Sequence, residues 1–459
     1  MKYRTESDVL GKVRVPEEAY YGSETQRTVN NFQISGLKID WRFIESLVLI
    51  KKAAALANMS TGKLDRRRGS AIVKACNEIL SGKLSEHFVT DVFQAGAGTS
   101  TNMNANEVIA NRAITILKGK KGDYKVVHPN DHVNMSQSTN DIFHSAIHIS
   151  CYRVIGETLL PELKNLSNAL NRKAKQFSKI IKVGRTHLQD AVPITLGQEF
   201  RGYAGAISKT IDNLRYAQHA LLELPLGGTA VGTGINADKT YARNALKQIN
   251  MMTGCRFFIS DNKFKVQQSQ QDELMVSNAL KEIAIATGKI ANDLRLMTSG
   301  PRGGIGEIIL PELLPGSSIM PGKINPSVPE MLGMVGFEVI GLSHTIDISA
   351  ASGQLELNVF MPIVAYNLLF SINILSNAIH AFTESCITGI RAKKGTIAWH
   401  LNMDLSIATA LTPYIGYAKA SKIAREAYLG RKSIMEVCIE KKILDRRTLQ
   451  RVLDPKNAV

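Results

Sequence analysis

The 459-residue chain is 44% apolar, which supplies a large core, excludes disorder and predicts roughly two to four folding units at about 150 residues each. Lys and Arg number 56 against 40 Asp and Glu, and the formal net charge of +16 favours acidic partners. Aromatics are only 6%, and the basic runs Asp65 to Arg68, Lys118 to Lys121 and Lys441 to Arg447 are short, the pattern of solvated faces and not of a nucleic-acid surface.

The five cysteines form no CxxC pair and no disulfide framework, which points to a reducing compartment. The first twenty residues mix acids and bases without an apolar core, so no secretion signal is expected. The most apolar stretch, Asn358 to Ile390, is interrupted by Pro362, Asn367, Ser371 and Asn373, among others. It falls short of about 18 uninterrupted apolar residues, and the expectation is a cytoplasmic protein with no membrane partner.

In chain order, residues 1–134 alternate short helical patterns with turn-rich stretches and show no strand run long enough to build a sheet. They read as a mostly helical N-terminal domain. Residues 135–393 carry five long helical patterns, Cys151 to Ile180, Leu196 to Leu224, Glu273 to Ser299, Ser327 to Ala350 and Leu357 to Ile390, the signature of a central helical bundle. In the third, Val276, Leu280, Ile283, Thr287, Ile290, Leu294 and Met297 form one stripe along a helix of about 40 Å. Several of these helices are apolar on more than one face, which predicts burial against other copies of the chain. Residues 394–459 are shorter in pattern and strongly charged near their end, and read as a small C-terminal helical domain.

The segment Pro315 to Pro326 (PGSSIMPGKINP) is too rich in breakers to be helical and predicts a mobile loop over a cleft. Ser317, Ser318, Lys323 and Asn325 are equipped to hold a carboxylate while a proton moves. A P-loop is excluded, because five residues separate Gly316 from Gly322 and Ile324 follows the lysine. Three clusters share this small, polar character: Gly96 to Asn104, Ser136 to Asp141 and Gly184 to Asp190, each read as a loop-to-helix junction. Asn104 with Glu107, Ser138 with Asp141, and Ser327 with Glu330 have capping-box spacing, and a helix start with free N–H groups also suits a carboxylate. Glu330 has a second reading, as the group that orients a catalytic imidazole. Gly-rich Leu226 to Gly234 follows a helical pattern and lacks GxGxxG spacing, against a dinucleotide site. No HExxH or paired Asp/His spacing marks a metal.

Taken together, these residues resemble the aspartase/fumarase superfamily over nearly the whole chain. GSSIMPGKINP resembles the superfamily's GSSxMPxKxNP loop, and SQSTND, GRTHLQDAVP, LGGTAVGTG, NDLRLMTSGPRGG and GQLELNV follow in family order. The resemblance implies a mainly α, three-domain subunit with a central five-helix bundle, a homotetramer with active sites shared between subunits, and no organic cofactor. Divalent-cation activation is not readable from the residues. GAGTS, SQSTND and Asn325-Pro-Ser-Val-Pro-Glu330 resemble the aspartase branch, whereas Ala351-Ser-Gly and TALTPYIGYAKASKIA resemble class II fumarases at least as well. His144 departs from both, since relatives usually carry proline there.

The resemblance to the aspartase branch implies elimination of ammonia from L-aspartate, a small dicarboxylate, through a dianionic aci-carboxylate; a fumarate hydratase is the alternative. By motif match Ser317 is the general base. Thr99, Ser138 and Thr139 surround the side-chain carboxylate, Lys323 and Asn325 the α-carboxylate, and Thr186, Asn140 and His187 hold the amino end. A silent oligomeric scaffold is a remote third reading, disfavoured because the base and its anion clamp are both intact.

Overall fold

A computed structural model describes residues 2–459 and is mainly α. By its contacts the chain divides into two units. One comprises Met1–Leu160, Asp212–Glu282 and Phe337–Leu375, and the other Pro161–Ile211, Ile283–Gly336 and Ser376–Val459.

The first unit opens with an antiparallel hairpin, β1 (Tyr3–Asp8) and β2 (Gly11–Pro16). The expectation of no sheet in this region therefore missed a two-stranded one, whose Val13 and Val15 alternate inward to pack on Ala19. Helices α1 (Ser23–Asn31), α2 (Trp41–Ser60), α3 (Arg66–Leu80) and α4 (Thr99–Ile116) follow. Asp40 and Asp65 cap α2 and α3 by accepting backbone N–H groups. Asn104 does not cap a helix, because α4 starts five residues earlier, after Gly98 turns the backbone left-handed at φ 80. Glu107 instead reaches across to α1 and accepts the N–H groups of Gly22, Glu24 and Thr25. Burial pushes its carboxyl up to about 7 despite those donors.

Helix α5 (Thr139–Val154) begins at a complete capping box between Ser138 and Asp141, so the first long helix starts twelve residues before the Cys151 expected from periodicity. A π-turn, Ile155–Leu159, leads into α6 (Leu160–Gln176). Pro161, which has no N–H to give and crowds the carbonyl four residues back, accounts for the widened turn before it. Next come α7 (Leu196–Ala220), α8 (Tyr241–Thr253), α9 (Lys263–Gln268), α10 (Gln271–Met297), α11 (Ser327–Ala351) and α12 (Met361–Ser385). The four longest lie within a few residues of their expected spans, except that α12 ends five residues short of Ile390. In the first unit α10 meets α11 through the Ser277 and Ser343 hydroxyls and α7 through Glu282 to Asn213.

The second unit contains the hairpin β3 (Ile181–Thr186) and β4 (Gln189–Thr195). Its α10 residues Ile283, Thr287, Ile290, Leu294 and Met297 are all buried, as are Val276 and Leu280 of the same stripe in the first unit. After α12 the chain forms short helices around a separate cluster built on Leu411, Ile423, Ala427, Ile434, Cys438 and Leu449.

Helices Ser327–Ala351 and Met361–Gly389 are long and apolar enough to cross a bilayer by length and composition, the second in spite of the polar interruptions that count against a span in Asn358 to Ile390. The second is mostly buried and buries Asn367, Ser371 and Thr383 with its apolar residues, as a core helix can. On α11, Met334, Phe337 and Ile348 are exposed, Phe337 by 74%.

Candidate active site

In the second unit the segment between Pro315 and Pro326 is a loop folded back on itself. Gly316 N–H donates to the Lys323 carbonyl at 2.8 Å, and Asn325 Nδ2 donates to the Gly316 carbonyl at 2.6 Å. A Cβ on Gly316 would lie 2.5 Å from the Lys323 oxygen, so this closure requires glycine. Gly322 turns the return at φ 77. Within the loop the Ser317 hydroxyl oxygen accepts the N–H groups of Met320 at 2.9 Å and Ile319 at 3.2 Å.

Beside this loop is a cleft of about 760 Å³. Lys323, Asn325 and Glu330 line it, together with Arg295 and Lys393, two cations that motif reading did not select. Three cations against Glu312 and Glu330 suit an anionic ligand. Glu330 lies in the first turn of α11 with Arg295 Nη2 at 4.0 Å. Among the described residues no hydrogen bond or ion pair joins Glu330 to His187 or to Ser327.

Thr186 and His187 sit at the exposed tip of the β3–β4 hairpin and not at a helix junction as expected. His187 and Leu188 both take positive φ, 53 and 59, the geometry of a tight hairpin turn. The hairpin is anchored on Glu307, which is buried and paired with Arg185 at 2.8 Å, Lys182 at 3.2 Å and His400 at 3.1 Å. Burial opposes the Glu307 charge, but Arg185 and Lys182 outweigh it and hold the carboxyl below its usual range.

The first unit gathers Ser138, Thr139, Asn102 and Asn134 around a smaller cleft of about 400 Å³. Asn102 Nδ2 donates to the Thr139 hydroxyl at 2.9 Å, and the fully buried Lys51 donates to Asn134 Oδ1 at 2.7 Å. Thr99 is exposed at the start of α4, its hydroxyl turned to the Gly96 carbonyl at 3.3 Å, and does not line this cleft. Asn140 donates its Nδ2 to the Ala230 carbonyl at 2.7 Å, which uses one amide hydrogen and fixes the side chain with Oδ1 as an acceptor. Beneath this floor Asp141 accepts the N–H groups of Gly227 and Thr229, tying the Gly-rich segment to the start of α5. Burial pushes the Asp141 carboxyl up to about 7, against its backbone donors and Lys51. Burial likewise brings Lys51 down to about 7, against the attraction of Asp141.

Lys51 and Asn134 lie outside the clusters that the sequence singles out, and Asn102 lies inside the Gly96 to Asn104 cluster without a role assigned to it. Lys51 lies in an apolar helical run, and the asparagines gave no signal beyond their closeness to GAGTS and SQSTND.

A family model described as "Lyase" matches residues 11–341, and one described as "Fumarase C C-terminus" matches residues 407–458. The chain is 45% identical to an aspartate ammonia-lyase from Bacillus sp, covering 98% of this chain and 96% of that protein. It is equally 45% identical to a class II fumarate hydratase from Neisseria meningitidis serogroup A, covering 100% and 99%. Among solved structures, fumarate lyase:delta crystallin from Brucella melitensis, bound to cobalt, superposes with a TM-score of 0.96 at 43% identity, covering 100% of both chains.

Proposed function

Because this chain belongs to the aspartase/fumarase superfamily and is a lyase, we propose that it is an aspartate ammonia-lyase, which converts L-aspartate to fumarate and ammonia. The observation that carries the chemistry is the Pro315 to Pro326 loop, where two backbone N–H groups point at Ser317 Oγ and Lys323 and Asn325 line a cationic cleft. Hydrogen bonds donated to an oxygen favour its anionic form, so this arrangement supports Ser317 as an alkoxide base.

In the reaction, Ser317 takes the proton from the carbon next to the side-chain carboxylate. The electron pair moves into that carboxylate as an aci-dianion, then returns to form the double bond as the C–N bond breaks and nitrogen leaves with the pair. The barrier is dominated by charge on the dianion, so donors aimed at its oxygens lower it most. Ser138 and Thr139 are the proposed donors, joined by Thr99 once its hydroxyl leaves the Gly96 carbonyl, with Lys323 and Asn325 on the other carboxylate. Asn140, whose Oδ1 is left as an acceptor, suits the substrate's ammonium together with Thr186 and His187. Glu330 is the proposed partner that orients an imidazole. No organic cofactor is required by this scheme.

The sequence form Asn325-Pro-Ser-Val-Pro-Glu330 favours aspartate as substrate. A second reading, class II fumarate hydratase, is favoured by the fumarase-type C-terminal match and by relatives of that name at the same identity. The same base and dianion would then act on L-malate, with hydroxide leaving. The deciding measurement is fumarate absorbance from each substrate with the same enzyme. A specificity constant well above that for L-malate is expected with L-aspartate, and the reverse order would assign the chain as a fumarase.

We further propose a cytoplasmic homotetramer with active sites completed by neighbouring subunits. The exposed apolar residues of α11 and of the loop, including Phe337 and Ile319, support this assembly.

A further inference from the structure

We propose that His144, His148 and Glu273 form a structural binding site for one divalent metal ion of the zinc class, separate from the residues assigned to the elimination. His144 and His148 are one turn apart on α5, so both imidazoles leave the same helix face. Glu273 approaches from the first turn of α10. Its Oε1 lies 2.8 Å from His144 Nε2 and 3.2 Å from His148 Nε2, and all three ligand atoms lie within 4.8 Å of one another.

Four polar atoms of this cluster are unsatisfied in a way a cation would relieve, while His144 Nδ1, on the far side of its ring, also has no partner among the described residues. All three residues are fully buried, yet both Glu273 oxygens and both Nε2 atoms make no aligned hydrogen bond among the described residues. A bare ion pair at these distances of 2.8 and 3.2 Å would need both rings protonated to serve one carboxylate oxygen, whereas a single cation replaces both protons. A buried carboxylate without hydrogen bonds is costly, and removing it from water is repaid only by close charge compensation.

The orientation of the His148 ring also suits a metal. His148 Nδ1 is 2.7 Å from the Glu223 carbonyl oxygen, which can only accept, so the hydrogen sits on Nδ1. In the neutral ring Nε2 then presents its lone pair to the cluster. This is the outer hydrogen bond that commonly fixes a ligating imidazole. Two nitrogens and a carboxylate oxygen at bonds of about 2.0–2.2 Å to a tetrahedral zinc would stand about 3.3 Å apart. His148 to Glu273 already matches, and His144 needs to withdraw by about half an ångström. The second Glu273 oxygen or a water could take the fourth position. The ligand set is borderline in softness, which suits zinc and cobalt better than magnesium or calcium.

Such an ion would clamp α5 to α10 one turn below Asn140. The test is metal content. The untagged chain, expressed in zinc-supplemented medium and dialysed against metal-free buffer, is expected to hold about one zinc per chain by mass spectrometry. Expressed with cobalt, it should show the visible absorption of low-coordinate Co²⁺. Glu273→Gln and His144→Gln, made separately, should each lower occupancy at least tenfold and remove the cobalt bands. Wild-type chain that is metal-free from both media would overturn the proposal. So would full occupancy in both variants, because the ion would then lie elsewhere. If one variant does not fold, the other variant and the wild-type stoichiometry still decide.

Discussion

Met320 donates its backbone N–H to the Ser317 hydroxyl at 2.9 Å, and Ile319 adds a second donor at 3.2 Å, so the proposed base is held by its own loop. Replacing Ser317 with alanine removes a group needed only as the proton moves. The expected result is a fall in kcat of roughly 10² or more with substrate affinity little changed. Lys323→Met removes a cation from the cleft wall and should raise KM as well. Direct binding of substrate to the two variants separates these roles. An alanine variant that keeps most of its kcat would exclude Ser317 as the base.

Gly316 stands where a side chain cannot, with the Lys323 carbonyl 2.5 Å from any added Cβ. Gly316→Ala should break the closure between Gly316, Lys323 and Asn325 and lower kcat/KM. The loop is largely exposed, so Tm should stay near that of the wild type. An unchanged kcat/KM would show that loop closure is not needed for turnover.

Lys51 is fully buried under the smaller cleft with its ammonium on Asn134 Oδ1. Lys51→Met leaves that oxygen only the long 3.4 Å bond from Asn102 Nδ2 and removes the amine whose charge attracts Asp141. The expected loss is about 1 kcal/mol of stability, the cost of one buried hydrogen bond with a weak partner remaining, together with a lower kcat/KM. Chemical denaturation and steady-state kinetics on the same preparation would check both.

Glu78 accepts from Arg112 Nε at 2.5 Å, and that pairing holds its carboxyl below the usual range. An unfolded glutamate takes its proton near pH 4.3, the folded one only at lower pH. The stabilisation is therefore present above about pH 4.3 and is lost as pH falls through the folded value. Glu78→Gln should cost about 1 kcal/mol at pH 7. Melting curves across pH should show its deficit shrinking in acid, and a deficit that grows would reverse the sign.

Phe337, 74% exposed on α11, lies with Met334 and Ile348 on a helix apolar enough to need cover. Phe337→Glu should reduce a tetramer to smaller species in light scattering and lower activity with it. A wild-type chain that is monomeric and fully active would remove both the tetramer and the shared site.

The sequence by itself determined the family, the mainly α class and the long helices, because these depend on local periodicity and contiguous motifs. The buried stripe from Val276 to Met297 needed only a regular spacing to be read. Boundaries were weaker where local signals competed: the Ser138 and Asp141 capping box marks the start of α5, whereas the same spacing at Asn104 and Glu107 falls inside α4 and serves tertiary contacts instead. Thr186 and His187 were placed at a helix junction because the two positive φ values of their hairpin turn are carried by non-glycine residues, which give no strong turn signal. Only the tertiary structure decided that Lys51 lies beneath Asn134, 83 residues away, and that His144 and His148 face Glu273. Burial creates the chemistry of these groups: a lysine or histidine in an apolar helical pattern looks structural until the chain, folding back on itself, shows which polar atoms share its desolvated space.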